Sequence, residues 1–297
     1  MKTKSLKNPK SAKAHIEFLK KAGFPFTLKV SNYTIEIVSD LYNIQFLHSM
    51  RSNRCFAAYA KIKSNVMNFP LPQVDHSRLE YFNHDFDKDF FVPHAINIDL
   101  RSAYATVMYN DGYISEDTFK YIQSIPKMDR LAAIGMLASK KYCFEYGEGG
   151  KLLQYYKTQS ELETFFFHCA QRVGDVMKDL KKIAGNDYLF SWVDGIYLKA
   201  NDEYLYELSD YLANKYFNWT IDIIYNFRVT INQKAKIGLS FYKEDKTKDG
   251  HEVCKQKLFN IPPASSMLAN DIVNFLTGQN VYNEKNNQIK IARGQTA

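Results

Sequence analysis

Cysteine is scarce in this chain: four in 297 residues, Cys55, Cys143, Cys169 and Cys254. None sits in a CxxC pair or at metal-ligand spacing. That pattern argues against a zinc ribbon or disulfide scaffold and for a reducing compartment. No apolar run approaches the ~18–20 residues of a membrane-spanning helix. The N-terminus carries lysines but no signal-peptide apolar core. No membrane partner is therefore expected, and the cytoplasm is the expected location. Neither GxxxxGK[ST] nor GxGxxG following a strand occurs, so the common phosphate-cradling loops are missing. Internal repeats and long low-complexity stretches are absent too.

What is present is a chain able to bury a substantial core, as one large domain or two modest ones. The hydrophobic share is 45% and the charged share 24%, ordinary for a globular protein. Aromatic residues reach 15%, with 21 Tyr and 21 Phe. Core packing is their first use and stacking on bases a second. The net charge is +7, and residues 1–30 hold eight lysines against one acid, Glu17. The remainder balances 31 basic with 31 acidic residues. This basic arm reads either as a phosphate-binding segment or as a solubilising tail.

The pattern predicts a loose tail over 1–13, a short helix from His15 to Ala22, and strands near Phe26–Val30 and Tyr33–Val38. The run His84 to Asp89 is acidic but lacks the EF-hand glycine and closing Glu, and reads as a solvated loop. Ile96 and Ile98 alternate with polar neighbours, as in a strand. Helices are expected up to Asp111-Gly112, from Ser115, and over Met128–Tyr142, with Pro126 as a break. Cys143–Lys157 reads as a hairpin. Ser160 and Glu163 form a capping box for a helix reaching Ile183. Tyr188–Trp192 and Ile196–Lys199 read as a second hairpin turning at Asp194-Gly195. Asn201 is placed as the cap of a helix ending near Tyr216. Strands at Thr220–Thr230 and Ala235–Tyr242, a lysine-rich loop and a helix around Ser265–Leu276 complete the pattern. Strands and helices interleave without regular βαβ repetition, which predicts an α+β fold, mainly antiparallel, with helices on one face.

Two acids stand out within this pattern. Asp99 ends the strand-like run Asn97-Ile98-Asp99-Leu100, and Asp194, 95 residues later, follows Ser191-Trp192-Val193. An unpaired buried carboxylate is costly. Two carboxylates brought together from distant strands can hold divalent ions, as phosphoryl and nucleotidyl transfer require. Taken singly, Asp194 also suits a turn and Asp99 a helix cap.

The segment Asp99-Leu100-Arg101-Ser102-Ala103-Tyr104-Ala105 resembles the D-x-x-S-L-Y-P motif of family B DNA polymerases, including their protein-primed branch. Phe190-Ser191-Trp192-Val193-Asp194-Gly195 is similar to the family's Y-x-D-T-D-S, with Trp192 in place of the first acid. Gly135 to Cys143 resembles the fingers motif K-x-x-x-N-S-x-Y-G only at Tyr142, and Gly135 replaces the triphosphate-gripping lysine. Gln233-Lys234-Ala235-Lys236-Ile237 is similar to the lysine motif that grips the primer–template duplex. The four elements keep the family's order and cover residues 92–245.

The resemblance implies a polymerase-type palm with small helical fingers and a small thumb. In this division 1–13 is a basic flexible tail and 14–91 an α+β region of unknown role. Palm segments span 92–114 and 146–245, reduced fingers 115–145, and a thumb or C-terminal region 246–297. With about 95 residues before Asp99, no exonuclease domain is expected, and such economy points by analogy to a virus or mobile element. The implied activity is DNA-directed DNA polymerisation, with deoxynucleotides added to a primer 3′-hydroxyl. Two Mg²⁺ (or Mn²⁺) ions would be held by Asp99, Asp194 and the Leu100 carbonyl, with Asp99 and Asp194 as the catalytic pair. Nucleotide contacts would come from Arg101, Ser102, Ala103, Tyr104, Lys127, Arg130, Ser139 and Tyr142. Lys234 and Lys236 would bind DNA. Implied partners are a DNA primer–template and dNTPs, with a priming protein or replication accessory proteins as further candidates. Gly135 and Trp192 keep open a catalytically impaired nucleic-acid-binding protein. The small fingers keep open a priming or template-independent nucleotidyltransferase.

Overall fold

A computed structural model describes residues 2–5, 10–31, 34–47, 52–76, 79, 82–84, 89–201, 204–232, 236–244 and 252–259. In chain order the elements begin β1 (Lys2–Ser5), α1 (Lys10–Ala22), β2 (Phe26–Val30), β3 (Thr34–Ser39), β4 (Asn43–Leu47) and α2 (Asn53–Val66). Next come β5 (Phe82–His84), β6 (Phe90–Leu100), α3 (Ala103–Asn110), α4 (Glu116–Ser124), α5 (Lys127–Gly135), β7 (Lys141–Tyr146) and β8 (Leu152–Thr158). The series closes with α6 (Glu163–Ala184), β9 (Tyr188–Trp192), β10 (Gly195–Lys199), α7 (Leu205–Asn214), β11 (Trp219–Asn232), β12 (Lys236–Glu244) and β13 (Glu252–Phe259).

The fold is α+β, with two sheets in two compact units. Among the described residues, the first unit falls within 1–53 and 138–163, and the second within 54–137 and 164–259. The sheet of the first unit runs β1-β4-β3-β2-β7-β8. Only its β1–β4 pair is parallel among the described pairings. Helix α1 buries Ala12, Ile16 and Leu19 with Leu28, Ile35, Ile37, Phe46 and Phe144. Positions 12, 16 and 19 form one helical stripe. That stripe explains why the helix starts at Lys10 inside the segment expected to be loose: lysines tolerate a solvated helix face while Ala12 joins the core. Ser5 and its neighbours also pair with β4.

Helix α5 stops at Gly135, earlier than the helix expected to reach Tyr142. Glycine is a poor helix former, and Tyr142, Phe144 and Tyr146 then recur at the strand period. These three are buried in the core of the first unit. Strand β7 pairs with β2 on one side and β8 on the other.

The second unit is built on the sheet β13-β12-β11-β6-β10-β9-β5, antiparallel at each described pairing. One face of its centre carries Ile96, Ile98, Leu100, Ile196 and Leu198, all buried. The other face carries Ala95, Asn97 and Asp99 from β6, aligned with Tyr197 and Gly195 from β10 and with Asp222 and Thr220 from β11. The apolar end of this second face packs Ala95, Phe190, Tyr197, Ile224 and Phe227 together. Phe190 and Tyr197 stack with centroids 4.3 Å apart.

The remaining differences are local. Asn201 does not cap α7; its Nδ2 donates to Asp187 Oδ2 at 2.9 Å. Strand β13 occupies part of the stretch expected to be a lysine-rich loop. Phe82–His84 forms β5, and 85–88 lie outside the described residues, as does the helix expected around Ser265–Leu276.

Candidate active site

Strand β6 delivers Asp99 to the polar end of its face, and the chain then turns sharply into α3. Ser102 makes that turn in the left-handed region, at φ 54°, ψ 38°. Leu100 N–H donates to the Asp194 carbonyl at 2.8 Å, and Arg101 N–H to the Asn218 carbonyl at 2.7 Å. The first of these bonds ties the two acidic segments directly together.

Asp194 sits in the two-residue turn between β9 and β10. Trp192 pairs with Gly195, so the turn is Val193-Asp194, one residue earlier than the expected Asp194-Gly195. Val193 takes the positive φ, 51°. A β-branched residue there is strained by ~1–2 kcal/mol. The shift places Gly195 inside β10, directly opposite Asp99. A Cβ at Gly195 would lie 3.5 Å from Asp99 Oδ1 and 3.6 Å from Asn97 Oδ1. Glycine thus leaves the approach to these oxygens open.

Both aspartates line one cavity of about 720 Å³, the size of a small-molecule site. Arg101, Lys127 and Arg130 line the same cavity. Lys127, Arg130, Leu131 and Ile134 recur at steps of three and four, so one face of α5 forms a wall. Ser102, Ala103 and Tyr104 contribute the start of α3. The Tyr104 ring meets Phe166 of α6 edge-on, with centroids 5.3 Å apart. One rim is therefore anionic, one wall cationic and one floor aromatic. Nearby, burial pushes the Tyr197 phenol up, and the charges of Asp99 and Asp222 push it the same way. Tyr197 stays neutral at physiological pH.

The donor chemistry fits a hard divalent cation: two carboxylates line one cavity, on segments tied by the Leu100 N–H bond to the Asp194 carbonyl. Among the described residues no group of three His, Cys, Asp or Glu side chains gathers as a metal site. Ions held here would rely on Asp99, Asp194 and carbonyl oxygen.

Of the residues expected from sequence, Asp99, Leu100, Arg101, Ser102, Ala103, Tyr104, Lys127, Arg130 and Asp194 all line the cavity. Ser139 and Tyr142 do not; they belong to the first unit. There Tyr142 is a core residue, with Lys157 Nζ 5.0 Å from its ring centroid. Lys236 opens β12 opposite Asn232, and Lys234 lies outside the described residues.

Sequence reasoning missed Gln123, Phe166 and Thr220, which also line the cavity. Thr220 is aligned with Asp99, and its hydroxyl donates to the Asp99 carbonyl at 3.4 Å. Strand pairing with β11, which no local motif announces, puts it there. Gln123 and Phe166 carry no sequence signal of their own. Compared with known proteins, the chain matches no family profile and no curated protein sequence.

Proposed function

We propose that this chain is a minimal DNA-directed DNA polymerase that adds deoxynucleotides to a primer 3′-hydroxyl. The observation that carries the reading is the convergence of Asp99 and Asp194 with Arg101, Lys127 and Arg130 on one cavity. A nucleoside triphosphate needs both kinds of charge: carboxylates to retain its divalent cations, and cations to take up the remaining phosphate charge.

In the reaction the primer 3′-oxygen attacks the α-phosphorus and pyrophosphate leaves. Bound Mg²⁺ or Mn²⁺, two ions in the full assembly, would supply Lewis-acid activation and charge neutralisation. Asp99 and Asp194 would hold those ions at the rim. Arg101, beside Asp99 in the chain, and Lys127 and Arg130 on the α5 wall orient the triphosphate. The amides opening α3 receive no side-chain cap from Ser102 and are suited to phosphate oxygens. Tyr104, braced by Phe166, provides an aromatic floor for the sugar and base.

A second reading, a nucleic-acid-binding protein derived from such an enzyme, is favoured by Trp192 at the first acidic position of the motif. Primer extension with Mn²⁺ and dNTPs separates the two. Incorporation by the wild type that disappears in Asp99→Asn/Asp194→Asn protein is the expected result. Equal product from the double variant refutes the assignment. Salt-sensitive DNA binding without incorporation favours the second reading.

A further inference from the structure

The cationic wall and the start of α3 come from different elements, and one residue joins them. Gln123, in the last turn of α4, accepts a hydrogen bond at its side-chain oxygen from Ser102 Oγ, at 3.2 Å. Its main-chain carbonyl accepts from Arg130 Nη1 at 3.3 Å. Ser102, Gln123 and Arg130 all line the cavity.

The Ser102 bond has two consequences. It diverts the hydroxyl from the usual N-cap role, so the first amides of α3 keep no side-chain cap. It also helps hold Ser102 in a backbone conformation that L-residues seldom adopt, φ 54°. The Arg130 bond has a different effect. Helix α4 ends at Ser124, Ile125 is extended before Pro126, and α5 begins at Lys127. The residue preceding proline is sterically driven out of the helical region, so α4 and α5 are separated by a defined break. The Gln123 carbonyl spans that break to the guanidinium.

We infer that Gln123 is a positioning residue for the triphosphate: it ties the start of α3, through Ser102, to the Arg130 guanidinium on the cavity wall. Its own side chain is occupied by Ser102 and acts through its neighbours. The inference rests on the nucleotidyl-transfer reading of the cavity. Contacts to triphosphate oxygens form on binding and persist in the transition state. Loosening them therefore raises KM more than it lowers kcat.

The test is single-nucleotide extension by the full chain, with dATP as the varied substrate and Mn²⁺ present. Gln123→Met keeps the side-chain length and removes the acceptor. It is expected to raise KM for dATP about fivefold while kcat stays within about twofold. Ser102→Gly removes the same hydrogen bond but suits the left-handed backbone. It should give a similar KM rise with no loss of thermal stability, which a merely structural role would not produce. Combining the two should add nothing to either alone. An unchanged KM in Ser102→Gly protein, or fully additive effects in the double variant, overturns the inference while leaving the polymerase reading intact. Wild-type protein that neither binds nor incorporates dATP overturns that reading, and the inference with it. Should Gln123→Met fail to fold, Ser102→Gly alone decides.

Discussion

Substituting Gly195 by alanine should separate stability from function. Gly195 lies within β10 opposite Asp99, and its backbone is outside the left-handed region, so alanine fits without strain. Replacing glycine there reduces the freedom of the unfolded chain, a gain of about 0.4–1 kcal/mol. The new methyl would meet Asp99 Oδ1 at 3.5 Å, Asn97 Oδ1 at 3.6 Å and the Trp192 carbonyl at 3.7 Å. These are ordinary contact distances, but all three neighbours are oxygens, so partial desolvation offsets some of the gain. The net stability change is expected within about 1 kcal/mol of zero. Function responds differently. A water or a cation's hydration shell approaches a carboxylate oxygen at ~2.8 Å, and a methyl at van der Waals contact occupies that approach. About tenfold weaker Mn²⁺ binding is expected, equivalent to ~1.4 kcal/mol, with at least a matching loss of primer extension. Urea unfolding gives the first quantity, and Mn²⁺ titration followed by electron paramagnetic resonance gives the second. Unchanged Mn²⁺ affinity in a stably folded Gly195→Ala protein would refute the argument that Asp99 faces its ligand beside Gly195.

Three further outcomes follow from the same geometry. Val193→Gly relieves the positive φ of 51° and should raise stability in urea by about 0.5–1 kcal/mol. Extension activity should fall as the turn carrying Asp194 loosens; a loss of stability would mean that Val193 packing outweighs its strain. Lys127→Met should raise KM for dATP about fivefold with a smaller change in kcat, and an equal loss in both parameters at saturating metal would place Lys127 elsewhere in the mechanism. Tyr211→Phe removes the hydroxyl that donates to Asp179 Oδ2 at 2.8 Å, first among the causes holding that carboxyl below its usual range; Lys182 adds to it. A depressed carboxyl pKa stabilises the fold above the unfolded value and loses that contribution as pH falls through the folded value. Tyr211→Phe should therefore cost about 1 kcal/mol at pH 7, after discounting for solvent screening, and progressively less as acid titrates the carboxyl; a cost that stays constant into acid would sink this account.

The fold class was legible because it depends on local periodicity. Ile96 and Ile98 and the break at Pro126 each follow from patterns a few residues long. The Ser160/Glu163 capping box, by contrast, is not formed: Ser160 Oγ accepts from Leu162 N–H and α6 begins only at Glu163. Ser115 accepts from Thr118 N–H as a capping residue should. What remained hidden depends on pairing. Nothing near Lys141 announces that β7 joins β2 more than a hundred residues earlier. The period of Met128–Tyr142 switches from helix to strand within five residues after Gly135, too short a span for a local pattern to register. The turn residue was misjudged because Asp-Gly is a strong local signal for a hairpin turn. Pairing of Gly195 with both Trp192 and Asp99 overrides it.

The acids of the site were visible for the opposite reason. Asp99 breaks the local rule that strand ends facing a core are apolar, and such violations concentrate where chemistry happens. Asp194 suits its turn and stands out through the motif order it shares with Asp99. The cations obey local rules, because Lys127 and Arg130 are good helix residues wherever they fall; the sequence points to them only through the resemblance, and the cavity brings them together. That difference bears on Gly135, which stands where the family's triphosphate lysine is expected. The cavity face of α5 is defined by Lys127, Arg130, Leu131 and Ile134. Position 135 follows Leu131 by four residues, about 40° from it around the helix, at the edge of that face. Glycine supplies no charge there, whereas Lys127 and Arg130 line the cavity. Charge lost at one motif position is thus not charge lost from the cavity. The polymerase reading therefore rests on the cations that α5 brings to the cavity, and Lys127→Met tests it at one of them.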